Sequence, residues 1–403
     1  MKYGWIDFSR NERNIIMRTF KALEIPSARD ELGIGVIRDA YSDLMFPGIS
    51  TQQTRAKYFV LIPYIFSMAV EKGSFKRANE VLPWIHRHED QIVKTLLEKS
   101  DDLDGIIGRR MDGQNMFVKT KPSSIYWSGL RTYEILSGAN TSISYACQVV
   151  YGKNLHRNSF SEIKNKDEDG HDDNTAQNEN TPLFFMPPLP ANLMNEAQIE
   201  LTLTEKEFLL ERMTKTKNVK NSLLAHMLKK RKIYKSFFDI NPNDPDLPGD
   251  LGETVYLAQR FSDFIHGAHL RYNMIFSESL PPDMDPVKAK EITVILKSAY
   301  ENWQKTFDFE TFDLLKVLSK VNNRSDSGLE PFVDSFLNAA KNGNNEEVDR
   351  LIIAREKFQK KDRAKLLKPQ EHKFYHVHWH KLNYRYDTAK TIINDILKPQ
   401  GGI

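Results

Sequence analysis

The apolar residues Ile34, Ile37, Tyr41 and Leu44 recur at steps of three, four and three, the spacing of one helical face. Arg38 and Asp39 fall off that face, and Asp39 and Asp43 are neighbours on its flank. Pro47-Gly48 should end this helix, because proline lacks the amide donor and glycine tolerates positive φ. Ser50 or Thr51 is expected to cap the next one. From Tyr58 to Val70 the pattern changes to residues that are apolar almost all round, the mark of a buried helix. That run falls short of the roughly 20 apolar residues a bilayer span needs, and Pro63 inside it predicts a kink.

The same reading extends along the chain. Tyr3 to Phe8 reads as a short strand or extended arm. Ser9 and Glu12 then make an S-x-x-E capping box for a helix carrying Ile16, Phe20 and Leu23. Ser74 to Ser100 reads as helix interrupted near Pro83-Trp84, Pro122 opens a helix that Gly138 stops, and Thr141 to Tyr151 is a short helix. In the second half Thr204 and Glu207 predict a capping box, and Asp285-Pro286 has the favoured cap-then-proline order. Further helices are expected over 253–277, 309–321, 330–341, 346–367 and 386–397. Strand-like alternation is scarce, with Gln198 to Thr204 the main instance. The predicted fold class is therefore mostly α and multi-helical, with few short strands.

Composition changes this picture at one place. The segment 161–180 has seven acids, two lysines and only one large apolar residue. Such a stretch cannot bury enough surface to offset chain entropy, so 158–181 is expected to be a disordered acidic linker. It divides the chain into an N-terminal helical domain, 1–157, and a C-terminal one, 182–403. Elsewhere the composition is that of a globular protein of 403 residues, with 40% hydrophobic and 28% charged residues. A lone cysteine, Cys147, excludes an internal disulfide framework and fits a reducing cytoplasm. MKYGWIDFSRNER lacks an apolar core, so no signal peptide is expected, and no membrane association either. A net charge of +3 is too small to imply nucleic acid by itself; local patches must carry that argument.

Several blocks together resemble one family: GWIDFS at 4–9, RDELGIGVIRDAYSDLMFPGISTQQTRAKYF at 29–59, IIGRR at 106–110 and PSSIYW at 122–127. RFSDFIHGAHLRYN at 260–273, AREKFQKKDRAKL at 354–366 and LNYRYDTAKTIINDIL at 382–397 extend the likeness over nearly the whole chain. The chain is similar to an uncharacterised bacterial family, a domain of unknown function marked by its WIDFS and RDELGIG words. The resemblance implies a setting in antiphage defence islands, near helicase or phospholipase-D-like nuclease genes, and it supplies no catalytic residues.

Candidate chemistry is sparse. Gly33 and Gly35 form a G-x-G without the third glycine or the strand of a dinucleotide site. His376, His378 and His380 would share one face of a strand, and His86, His88, Glu89 and Asp90 form a second cluster. Neither group has a known zinc-ligand spacing, and no cofactor is expected. Asp30, Glu31, Asp39 and Asp43 are oxygen donors that could hold Mg²⁺, or they could pair with Arg29, Arg38 and Arg55. Basic surfaces give the stronger signal. Residues 212–238 hold nine Lys or Arg and no acid, with Lys229, Lys230, Arg231, Lys232 and Lys235 interleaved with Tyr234 and Phe237. Arg109 and Arg110 lie in a glycine-spaced loop. A further patch comprises Arg355, Lys357, Lys360, Lys361, Arg363 and Lys365. The expected function is that of a non-catalytic DNA-binding or scaffolding subunit of a defence complex, with DNA and helicase or nuclease proteins of the same locus as partners. A metal-dependent nuclease using the four carboxylates and a protein-only adaptor are the alternatives.

Overall fold

The computed structural model describes residues 30–109, 120–138, 141–163, 182–322, 325–378 and 380–399. The Tyr3–Phe8 arm, the Ser9–Glu12 capping box, Arg29, Arg110 and residues 164–181 of the acidic segment lie outside the described residues. The described residues are mostly helical and contain fourteen α-helices. Their pairing of extended backbone is one isolated antiparallel bridge between Leu136 and Phe184. They group into two compact units. Unit 1 holds residues up to Tyr41 and 254–382; unit 2 holds 42–253 and 383–403.

Unit 2 is built around the all-apolar run. It folds as α2 (Tyr58–Lys72), after α1 (Gly35–Met45), of which only the residues from Ser42 onward belong to this unit, and every α2 residue from Tyr58 to Phe66 is buried, Pro63 included. Around α2 pack α3 (Val81–Lys99), α4 (Pro122–Thr132) and α5 (Ile143–Ile163). Aromatic rings join them: Phe59 meets Tyr126 at 4.9 Å and Tyr133 at 5.2 Å, and Phe66 meets Trp127 and Phe184. Gly48 turns the chain at φ +81, where Tyr133 and Thr132 leave no room for a side chain. A short α6 (Leu193–Glu196) lies on α3, while α7 (Leu203–Lys215), α8 (Leu223–Lys230) and the last helix pack together.

Unit 1 centres on α9 (Leu251–Glu278), whose residues from Thr254 onward belong to it. α10 (Pro286–Thr306), α11 (Leu314–Lys320), α12 (Leu329–Lys341) and α13 (Asn345–Lys360) complete it. Phe264 of α9 stacks on Phe312 at 4.9 Å and meets Phe336 edge-on at 5.7 Å. The chain then returns to unit 2 as α14 (Tyr386–Leu397), the predicted helix residue for residue.

Some local expectations shift. Asp285 does cap α10, accepting from Val287 and Lys288, with Pro286 in the first position. Ser50 and Thr51 cap no helix: α2 begins at Tyr58 after Lys57, without a side-chain cap. Pro83 does not interrupt a helix but sits in the first turn of α3, where its missing N–H costs nothing. The capping box of α7 is Thr202–Glu205, not Thr204–Glu207, and residues 198–202 pair with no strand. α5 is twice the predicted length and occupies the first residues of the segment read as linker. α13 ends at Lys360 rather than near Leu367.

Candidate functional site

The basic run of residues 212–235 is assembled by α7, α8 and the loop that follows. Ser222 caps α8, its Oγ accepting from Ala225 N at 3.2 Å. Every residue from Leu223 to Leu228 is buried, so α8 exposes only its C-terminal end. That end is where cations best complement the helix dipole and the last carbonyls. Arg231 closes it at φ +52, with its N–H returned to Leu228 O. Lys230 is tied to Asp246 at 2.9 Å and Lys232 to Asp244 at 3.1 Å, with the Lys232 ammonium also over the Tyr234 ring. Lys229 reaches Lys220 O at 2.9 Å. Lys217, Lys220, Lys229, Arg231 and Lys235 are exposed and have no carboxylate partner among the described residues.

The other predicted basic residues divide differently. Arg109 pairs with Asp104. Lys360 is half-buried at the end of α13, and Lys361 and Arg363 are exposed in the 3-10 turn after it. This patch belongs to unit 1 and the α8 surface to unit 2. Arg355 and Lys365 do not belong to any surface. Arg355 is buried and holds both carboxylate oxygens of Asp326 at 2.7 Å, with Nε on Leu32 O at 2.8 Å. Lys365 is buried on Glu31.

The four carboxylates proposed for Mg²⁺ have separate employments. Asp30 caps α1, its oxygens accepting from Ile34 N at 2.7 Å and Gly35 N at 2.5 Å. Glu31 is buried with Lys365 at 3.2 Å and Tyr375 OH, and its Oε2 has no partner. Asp39 pairs with Arg38 and Asp43 with Arg385. Arg55, expected near these acids, instead grips Asp395. Among the described residues no group of three or more His, Cys, Asp or Glu side chains is placed to hold a metal ion.

The histidines are likewise dispersed. His376, His378 and His380 lie in no strand; His378 sits at φ +42 with its ring 4.7 Å from the buried His269. Burial, then the neighbouring His378, holds His269 well below its usual range. His86 is pushed down to about 4 by burial. His88 stacks on Trp84, and Glu89 turns inward to accept from Ser123 N at 2.6 Å, capping α4 from another helix. Burial pushes Glu89 up to about 7.

One constellation has no counterpart in the sequence reading. Arg55 donates Nε to both Asp395 oxygens (3.1 and 3.0 Å) and Nη1 to Asp102 (3.0 Å) and Asp104 O (2.8 Å). Burial works against the Arg55 charge, and the Asp395 hydrogen bond and charge overcome it, holding the guanidinium above its usual range. Burial also raises Asp395 in spite of Arg55. This pair floors an open cleft of about 820 Å³ walled by the polar face of α14, including Asp387, Thr391 and Asn394. With Asp102, Asp104, Asp387 and Asp395 against Arg55 and Lys398, the cleft is acidic and disfavours phosphate. The only sequence signal for it was the polar stripe of α14 opposite Tyr386, Ile392, Ile393 and Ile396.

The model of DUF6361, a family of unknown function, matches residues 1–396. No curated protein and no solved structure matches the chain.

Proposed function

We propose, for a chain that belongs to the DUF6361 family of unknown function, that it is a non-catalytic DNA-binding or scaffolding subunit that holds nucleic acid by its phosphates. The observation that carries the reading is the set of exposed, carboxylate-free cations at Lys217, Lys220, Lys229, Arg231 and Lys235. Because α8 is buried along its length, it has no free face to lay in a major groove. What remains is contact with the phosphate backbone, which is tolerant of sequence and steeply dependent on salt. Assembly with helicase or nuclease proteins of a defence locus belongs to the same proposal and rests on the resemblance of the sequence blocks.

The test is a filter-binding titration of duplex DNA at two or more salt concentrations. Lys229→Ala, Lys235→Ala and Arg231→Gly, the last chosen for its positive φ, are combined in one variant. Binding should weaken, and the salt slope should fall by roughly one unit per lost phosphate contact. Lys230→Ala should cost less, since Asp246 already neutralises that ammonium. A wild-type chain that ignores DNA at low salt would leave the protein-only adaptor as the reading.

A further inference from the structure

A second surface of unit 2 has the ingredients of a small-molecule site and is independent of the α8 surface. Where the chain enters α3, Phe75, Arg77, Asn79, Trp84 and Arg87 line a cavity of about 370 Å³, within the size range of ligand sites. The indole of Trp84 is backed by the His88 ring, 3.5 Å away and nearly parallel, and Phe75 meets it edge-on at 6.1 Å. His88 is fixed in turn by its Nδ1 against Trp84 O at 2.9 Å. This gives a rigid aromatic platform at a cavity wall. Arg77 and Arg87 are exposed beside it, and neither has a carboxylate partner among the described residues. The one acid of the cavity, Glu80, accepts from Lys76 N at 2.9 Å, so two guanidinium groups face one carboxylate.

We propose that this cavity binds a nucleoside phosphate, with the base stacked on Trp84 and the phosphate held by Arg77 and Arg87. An indole accepts the π-face of any base, and guanidinium forks match phosphate oxygens in pairs. Asn79 is the polar group available to a base edge or sugar hydroxyl. The ligand can be a free nucleotide or an unstacked nucleotide of a single strand, which share this chemistry.

The experiment is a tryptophan-fluorescence titration of the full chain with adenosine monophosphate, adenosine, inorganic phosphate and a short single-stranded deoxyadenosine oligonucleotide. The monophosphate should give saturable quenching that disappears in Trp84→Phe. Arg77→Ala and Arg87→Ala should each weaken it about tenfold, the scale of one charge-assisted hydrogen bond, with helical content by circular dichroism unchanged. Tighter binding of the oligonucleotide assigns the site to a strand, and tighter binding of the monophosphate assigns it to a free nucleotide. Absence of quenching by both, quenching untouched by the arginine variants, or phosphate alone binding as tightly as the monophosphate overturns the proposal. The α8 variants leave this signal in place, so the two sites succeed or fail separately.

Discussion

Arg355 and Asp39 both looked like surface charges, and their surroundings set their expected costs far apart. Arg355 is buried with its fork on Asp326 and its Nε on a backbone carbonyl. Arg355→Ala takes the cation from Asp326, which keeps only Gly328 N and Gln359 Nε2, and removes the donor to Leu32 O, so it should cost about 3 kcal/mol, read as a lower midpoint in chemical denaturation. The Asp39 carboxylate is half exposed beside Arg38, so Asp39→Ala should change stability by less than about 1 kcal/mol. Gly33, at φ +70 with Gln359 and Arg355 against it, explains why the loop before α1 carries glycine: a side chain there would meet both. Glu89 supplies a test by pH. Its folded value of about 7 stands above its ordinary 4.5, so the folded chain binds more protons between those values. Stability from this group is therefore full below pH 4.5 and falls as pH rises towards 7. Glu89→Gln keeps an acceptor for Ser123 N and should remove that fall, a change on the order of 3 kcal/mol between pH 4.5 and 7.5. The half-buried His86 and His266, both pushed down to about 4, act in the opposite sense and weaken the fold as pH drops from 6.5 to 4. Thermal melts of wild type and variant across pH 4–8 would separate the two.

At the scale of elements, the start of α7 shows how a local signal is decided from afar. T-x-x-E occurs twice in overlapping register, at Thr202–Glu205 and Thr204–Glu207. Sequence chemistry favours neither. The buried Lys57 ammonium lies 2.7 Å from Glu205, and this fixes the register in which Glu205 faces inward. Thr202→Ala should therefore cost about 1 kcal/mol and Thr204→Ala almost nothing, measured as paired thermal shifts. A larger loss from the Thr204 change would contradict the assignment. α8 makes a related point: its apolar positions are fully used in packing, which turns a basic helix into a basic helix end.

For the molecule as a whole, the acidic composition of residues 161–180 predicts early proteolysis there. Phe185 N donates to Ile135 O and Ser137 N to Leu183 O, tying the two sides of the segment together within unit 2. A nick is thus expected to yield two bands on a denaturing gel that still elute as one species in native size exclusion; two separately eluting fragments would refute it. What the sequence by itself determined is local. Apolar spacing located the helices, and Asp285-Pro286 and Tyr386–Leu397 were legible because capping and amphipathicity act within a few residues. The tertiary structure alone decided which charges meet. Lys57 and Glu205 are 148 residues apart, Arg55 and Asp395 340, and Glu31 and Lys365 334. Composition offers each charge many partners of opposite sign. Burial selects one, because an ion taken from water must be matched where the chain places it.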